Sequence, residues 1–139
     1  MRVLGIDYGD ARVGISISDP LGITAQGLET IHHQQNDKIV LKRLEEIVNE
    51  YGVTTFVIGM PYNLKGEKTT RAELTEKFIH KLRCKFPPIK VIEIDERLTT
   101  VQAHKTMNFL EIDKKKKRNI VDTLAAVYIL EVYLNQKKS

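Results

Sequence analysis

Val3-Leu4-Gly5-Ile6-Asp7-Tyr8-Gly9-Asp10-Ala11-Arg12-Val13-Gly14-Ile15-Ser16-Ile17-Ser18 is the stretch whose reading decides the fold. The apolar run from Val3 stops at Tyr8-Gly9-Asp10, the pattern of a buried strand closed by a turn. From Arg12 to Ser18, Val13, Ile15 and Ile17 alternate with Gly14, Ser16 and Ser18, a period of two that marks a strand with one protected face. Ile23 to Ile31, interrupted at Gly27, supplies a third strand. Three strands joined by short turns make an antiparallel meander.

Beyond the meander the period changes. Between Asp37 and Tyr51, Val40, Leu44, Ile47, Val48 and Tyr51 fall at helical spacing, and Gly52 is a stop signal. Thr54 to Met60 is a β-branched run ended by Pro61, hence a strand, and Pro61 to Thr69 is a loop containing Asn63 and Gly66. Thr70-Arg71-Ala72-Glu73 fits a capping box opening a helix to about Phe86, which Pro87-Pro88 breaks before a fifth strand, Ile89 to Asp95. Thr99-Thr100-Val101-Gln102 is a second capping box, for a helix to about Leu110. A basic loop, Lys114 to Arg118, then precedes a last helix from Ile120 to Leu134, with Asn119 as its N-cap. This order predicts a single α/β domain over residues 1–139 with a mixed five-stranded sheet, its later strand–helix–strand units crossing right-handedly.

Composition narrows the function. The chain has 139 residues, 42% hydrophobic and 29% charged, which excludes a disordered chain, a collagen-like repeat or a disulfide scaffold. Cys84 is the one cysteine, so no internal disulfide or multi-thiolate zinc site can form, and a reducing compartment fits. The N-terminal apolar stretch is too short for a signal-peptide core, and no run approaches a membrane span. A cytoplasmic protein without a membrane partner is expected. The net charge of +4 is a mild bias toward polyanionic partners.

Three carboxylates stand out. Asp7 ends an otherwise apolar strand, where a carboxylate is expensive unless paired or metal-bound, although Asp is also a common turn residue. Glu96 follows the fifth strand, at the end of an α/β sheet where ligands collect; a solvated acidic turn is the alternative. By strand parity the competing Glu93 and Asp95 lie on the opposite face. Asp122 stands in the first turn of a nearly all-apolar helix, where it complements the helix dipole and also comes near the strand ends. The run Lys114, Lys115, Lys116, Lys117 and Arg118 is either a solvated loop or a phosphate-backbone contact, and Arg71 repeats a cation at a helix start. The four histidines lack ligand spacing, and surface positions account for them. No Ser/His/Asp arrangement, P-loop or dinucleotide fingerprint is present.

Gly5 to Gly14 continuing through Ser18-Asp19, Ile58-Gly59-Met60-Pro61-Tyr62-Asn63-Leu64-Lys65-Gly66 with Arg71-Ala72, Asp95-Glu96-Arg97-Leu98-Thr99-Thr100, and Asp122-Thr123-Leu124-Ala125-Ala126 together resemble the motif set of the YqgF/RuvX family. The resemblance covers essentially the whole chain. It implies an RNase H-like fold with helices on both faces of the sheet, similar to the RuvC Holliday-junction resolvases. It also implies a nuclease that matures the 5′ end of pre-16S rRNA in ribosome biogenesis. By motif, Asp7, Glu96 and Asp122 become the expected acidic residues of the site, holding one or two Mg²⁺ or Mn²⁺ ions, since hard divalent ions favour oxygen ligands. Arg12, Arg71, Arg97 and Lys114 to Arg118 become expected contacts to the nucleic-acid backbone. Lys65 stands where many members carry an acid or a small polar residue and takes no catalytic role. The expected partner is structured precursor rRNA or branched DNA, met as a monomer or weak homodimer. Rival functions are a junction resolvase, a non-catalytic RNA-binding assembly factor, and an actin-like ATP-binding domain, for which the chain is short.

Overall fold

β1 (Arg2–Tyr8) and β2 (Arg12–Ser18) form the expected antiparallel pair, with Leu4 opposite Ile17 and Asp7 opposite Gly14. The computed structural model describes the backbone of residues 2–98 and 114–138, and the side chains of residues 2–97 and 123–137. β3 (Ala25–His32) continues the meander against β2. Gly27 does not interrupt it: the register shifts between Ile15 and Ser16, so a bulge absorbs the extra residue. β4 (Val53–Met60) pairs parallel with β1, and β5 (Lys90–Asp95) pairs parallel with β4. The sheet is therefore mixed, in the order β3-β2-β1-β4-β5.

α1 (Asp37–Tyr51) is capped by Asn36, whose side chain accepts from the Lys38 amide, and ends at Gly52 with φ +67°. α2 (Thr70–Lys85) is capped one residue before the expected box: Thr69 Oγ1 accepts from Ala72 N at 3.1 Å. Thr69 Oγ1 also donates to Pro61 O at 2.9 Å, which ties the helix start to the end of β4 and decides between two adjacent threonines. A short 3-10 turn, Glu96–Leu98, follows β5. α3 (Lys114–Lys138) is the last helix. The helix expected from Thr99 to Leu110 lies outside the described residues.

Strand parity sorts the core into two layers. Leu4, Ile6, Phe56 and Ile58 face α1 and α2, joining Val40, Leu44, Phe78 and Leu82. Val3, Val57 and Ile94 face the opposite way and join Ile129, Leu130 and Tyr133 of α3. The sheet thus carries helices on both faces. Gly5 makes the approach of α3 possible, since a Cβ there would stand 2.2 Å from Ser16 Oγ and 2.7 Å from Ala126 O. Ser16 Oγ donates to Ala126 O at 2.7 Å, a buried bond that fixes the helix over the meander.

The basic run is helical, not a loop: α3 begins at Lys114 and runs through Lys115, Lys116, Lys117 and Arg118. Asn119 is therefore not its N-cap, and Asp122 lies in the third turn instead of the first. Straight-chain Lys and Arg are good helix formers, and no Gly or Pro interrupts the chain between Lys114 and Lys138. Among the described residues, no helix is long and apolar enough to cross a membrane.

Candidate active site

Asp7 and Glu96 meet. Asp7 shares the odd parity of Val3 and Gly5, so β1 delivers its carboxyl to the α3 face at the carboxyl end of the parallel pair. Glu96, two residues beyond Ile94, begins the turn after β5 on the same face. β4 lies between these strands, and Gly59 makes the crossing possible. A Cβ at Gly59 would stand 3.3 Å from both Cγ and Cδ of Glu96 and 2.7 Å from Ile129 Cδ1. The glutamate therefore passes over bare backbone and hydrogen-bonds the Asp7 carboxyl.

Electrostatics follow from that contact. Burial raises the Asp7 carboxyl well above its ordinary 3.8, and the hydrogen bond and charge of Glu96 add to the rise. Arg71 pulls the other way. Two adjacent carboxylates hold a proton between them or require a cation.

The turn after Asp7 is fixed from three sides. Arg71, in the first turn of α2, pairs through Nη1 with Asp10 Oδ1 at 2.5 Å and donates from Nη2 to Tyr8 O. His33 donates from Nε2 to Gly9 O at 2.8 Å and is only 2% exposed. That corrects the surface position expected for this histidine: the meander folds the β3 end back over the turn. Tyr8 stacks on Phe78 at 4.3 Å and donates to Asp37 Oδ1 at 2.6 Å, where Lys81 closes the chain at 2.9 Å. Burial, then the Asp37 bond and charge, push the Tyr8 hydroxyl pKa upward.

The other expected site residues are placed unequally. Arg97 is engaged with Asp95 and Arg71 with Asp10, so both cations serve intramolecular pairs. Arg12 opens β2 opposite His32 and is half-buried. Lys114 to Arg118 occupy the start of α3, and Asp122 one turn before Ala126; their side chains lie outside the described set. Gly59, Gly5 and His33 carry structural duties that the site reading of the sequence missed. A glycine inside the β-branched run Val53–Met60 was a usable signal, because glycine in a strand marks close approach by another group.

The family model described as "RuvX: Holliday junction resolvase" matches residues 1–136. The chain is 54% identical over 137 residues to a protein of Acetivibrio thermocellus named "Putative pre-16S rRNA nuclease", covering 99% of this chain and 97% of that one. A relative of the same name from Ruminiclostridium cellulolyticum is also 54% identical, over 98% and 95% of the two chains. Among solved structures, the fold resembles Thermus thermophilus RuvC in complex with a Holliday junction substrate, with TM-score 0.61 and 13% identity over 100% of this chain and 98% of that one. The Fowlpox virus resolvase superposes with TM-score 0.58 at 12% identity, over the full length of both chains. With a family model spanning nearly every residue and relatives above half identity, the chain belongs to the RuvX family.

Proposed function

We propose that this chain is a divalent-metal-dependent nuclease that hydrolyses phosphodiester bonds of precursor 16S rRNA, working in the cytoplasm. The observation that carries the reading is the Asp7–Glu96 pair, brought across β4 by Gly59 at the carboxyl end of the sheet. Position 122 supports it. It stands one turn of α3 before Ala126, whose carbonyl accepts from Ser16 Oγ on the sheet face that carries Asp7.

The donor set fits a hard cation. Asp7 and Glu96 offer carboxylate oxygens only, and Mg²⁺ or Mn²⁺ is held by one or two carboxylates completed by water and phosphate. Asp7, Glu96 and Asp122 would hold one or two ions. When bound, the ion lowers the pKa of water and neutralises charge on the phosphoryl oxygens. The chain's own contributions are rigidity and fields. Arg71 holds the turn after Asp7 and adds positive charge beside it. Lys114 to Arg118, in the first turns of α3, would contact the phosphate backbone of the polyanion.

Cleavage of precursor rRNA and of four-way DNA, each with Mg²⁺, Mn²⁺ or EDTA, tests the proposal. RNA cleavage that needs the ion and is lost in Asp7→Asn is expected. The family description favours branched DNA as the second reading, and preferential junction cleavage would establish it. Tight RNA binding with no cleavage under any ion would leave an assembly factor and end the nuclease reading.

A further inference from the structure

Glu96 stands between the two halves of an ion pair. Asp95 Oδ1 accepts from the Arg97 amide and from Nε, each at 3.0 Å. Asp95 Oδ2 accepts from Nε at 2.9 Å and from Nη2 at 2.5 Å. The fork of the guanidinium is thus closed on a carboxylate, with a backbone bond bracing the same turn that begins at Glu96. The pairing lowers the Asp95 pKa, the Arg97 side-chain bond being the largest cause.

The other side of Arg97 reaches the β4–α2 loop. Nη1 donates to Leu64 O at 3.4 Å, and the guanidinium lies 6.0 Å from the Tyr62 ring centroid. Gly66, at φ +81°, brings its backbone close enough that a Cβ would stand 3.4 Å from Nη1. The loop is itself ordered: Asn63 Oδ1 accepts from Lys65 N at 3.0 Å and from Glu67 N at 2.9 Å, and Gly66 N donates to Asn63 O at 2.9 Å.

We infer that Arg97 is a positioning residue, which, locked to Asp95, holds Glu96 in its reach toward Asp7 and pins the 61–69 loop beside the site. It does not bind phosphate. The inference rests on the nuclease reading for its consequence, and on the bonds above for its geometry. Two features oppose a phosphate contact. The Nε/Nη2 edge that a phosphate would take bidentately is filled by Asp95, and the pair carries no net charge to attract a polyanion. A lysine cannot reproduce the arrangement, because it offers a point charge without a planar fork.

The test compares Arg97→Lys, Arg97→Gln and Lys116→Gln with the unaltered chain. Mn²⁺ binding is measured without RNA, RNA binding in EDTA across a salt series, and kcat and KM with the ion present. Partners that orient metal ligands typically carry about 10–100-fold of metal affinity. Arg97→Lys should therefore lose about that factor in Mn²⁺ affinity and in kcat, with KM and the salt slope unchanged. Lys116→Gln serves as the phosphate-contact reference, whose slope falls by about 1. A matching fall of slope in Arg97→Lys, with Mn²⁺ affinity intact, would overturn the proposal. So would an Arg97→Lys protein indistinguishable from the parent. Asp95→Asn breaks the same pair from the other side and should reproduce the defect if Arg97→Gln fails to fold. Should the parent itself bind no Mn²⁺, the nuclease reading fails separately; hydrogen exchange at the Lys65, Gly66 and Glu67 amides still decides whether Arg97 pins the loop, and unchanged exchange refutes it.

Discussion

Gly59→Ala separates stability from function at this site. The added Cβ meets Ile129 Cδ1 at 2.7 Å and the Glu96 Cγ and Cδ atoms at 3.3 Å. The first contact involves the free end of a buried side chain, so a small rotation relieves it, at the low end of the about 1–3 kcal/mol of overpacking. Removing the freedom of a strand glycine returns about 0.5–1 kcal/mol, leaving a net loss of about 0–0.5 kcal/mol. Glu96 has no comparable escape, because it already bonds Asp7. A displacement of about 1 Å costs on the order of 10²-fold in rate, so a few tenths should cost about 10-fold. Urea denaturation gives the first quantity, and single-turnover RNA cleavage at saturating Mn²⁺ the second. Ile129→Val removes the clashing methyl; alone it should cost about 0.5–1.5 kcal/mol, and less in the Gly59→Ala background. In that background it should leave the cleavage rate unrestored. A folded Gly59→Ala protein that cleaves at the parental rate would refute the crossing of Glu96 over β4. Full rescue by Ile129→Val would place the fault in the helix instead.

Gly5→Ala should behave in the opposite sense. Its Cβ meets Ser16 Oγ at 2.2 Å and the Ala126 carbonyl at 2.7 Å, and the second contact is backbone that cannot rotate away. Overpacking of about 1–3 kcal/mol adds to about 1–3 kcal/mol for the broken buried bond, and a urea midpoint equal to the parent's would contradict the packing of α3 on β1. Asp7→Asn should raise stability in EDTA while removing cleavage. Because burial and Glu96 raise the folded Asp7 pKa above its ordinary 3.8, its stabilising contribution is complete below that value and is lost as pH rises through the folded pKa. Urea titrations from pH 4 to 8 should show the parent weakening relative to Asp7→Asn over that window; parallel curves would show that the carboxyl is not desolvated.

Local rules carried most of the fold. The alternation of Val13, Ile15 and Ile17, the helical spacing of Val40, Leu44 and Ile47, and the stop at Gly52 all express chemistry within a few residues, so the sequence alone determined the five strands, α1, α2 and the mixed sheet. Choices between near neighbours escaped it. Thr69 caps α2 in preference to Thr70 because only Thr69 also reaches Pro61 O, and the basic run became helix because nothing in it breaks one. The motif reading singled out Asp7 and Glu96, yet their meeting, the bare backbone of Gly59 beneath them, the burial of His33 and the commitment of Arg71 and Arg97 to intramolecular partners were decided by tertiary structure alone. Each depends on which strands become neighbours and which face they share, and that is set by burying two separate apolar layers at once, a property of the whole sheet and of no single segment.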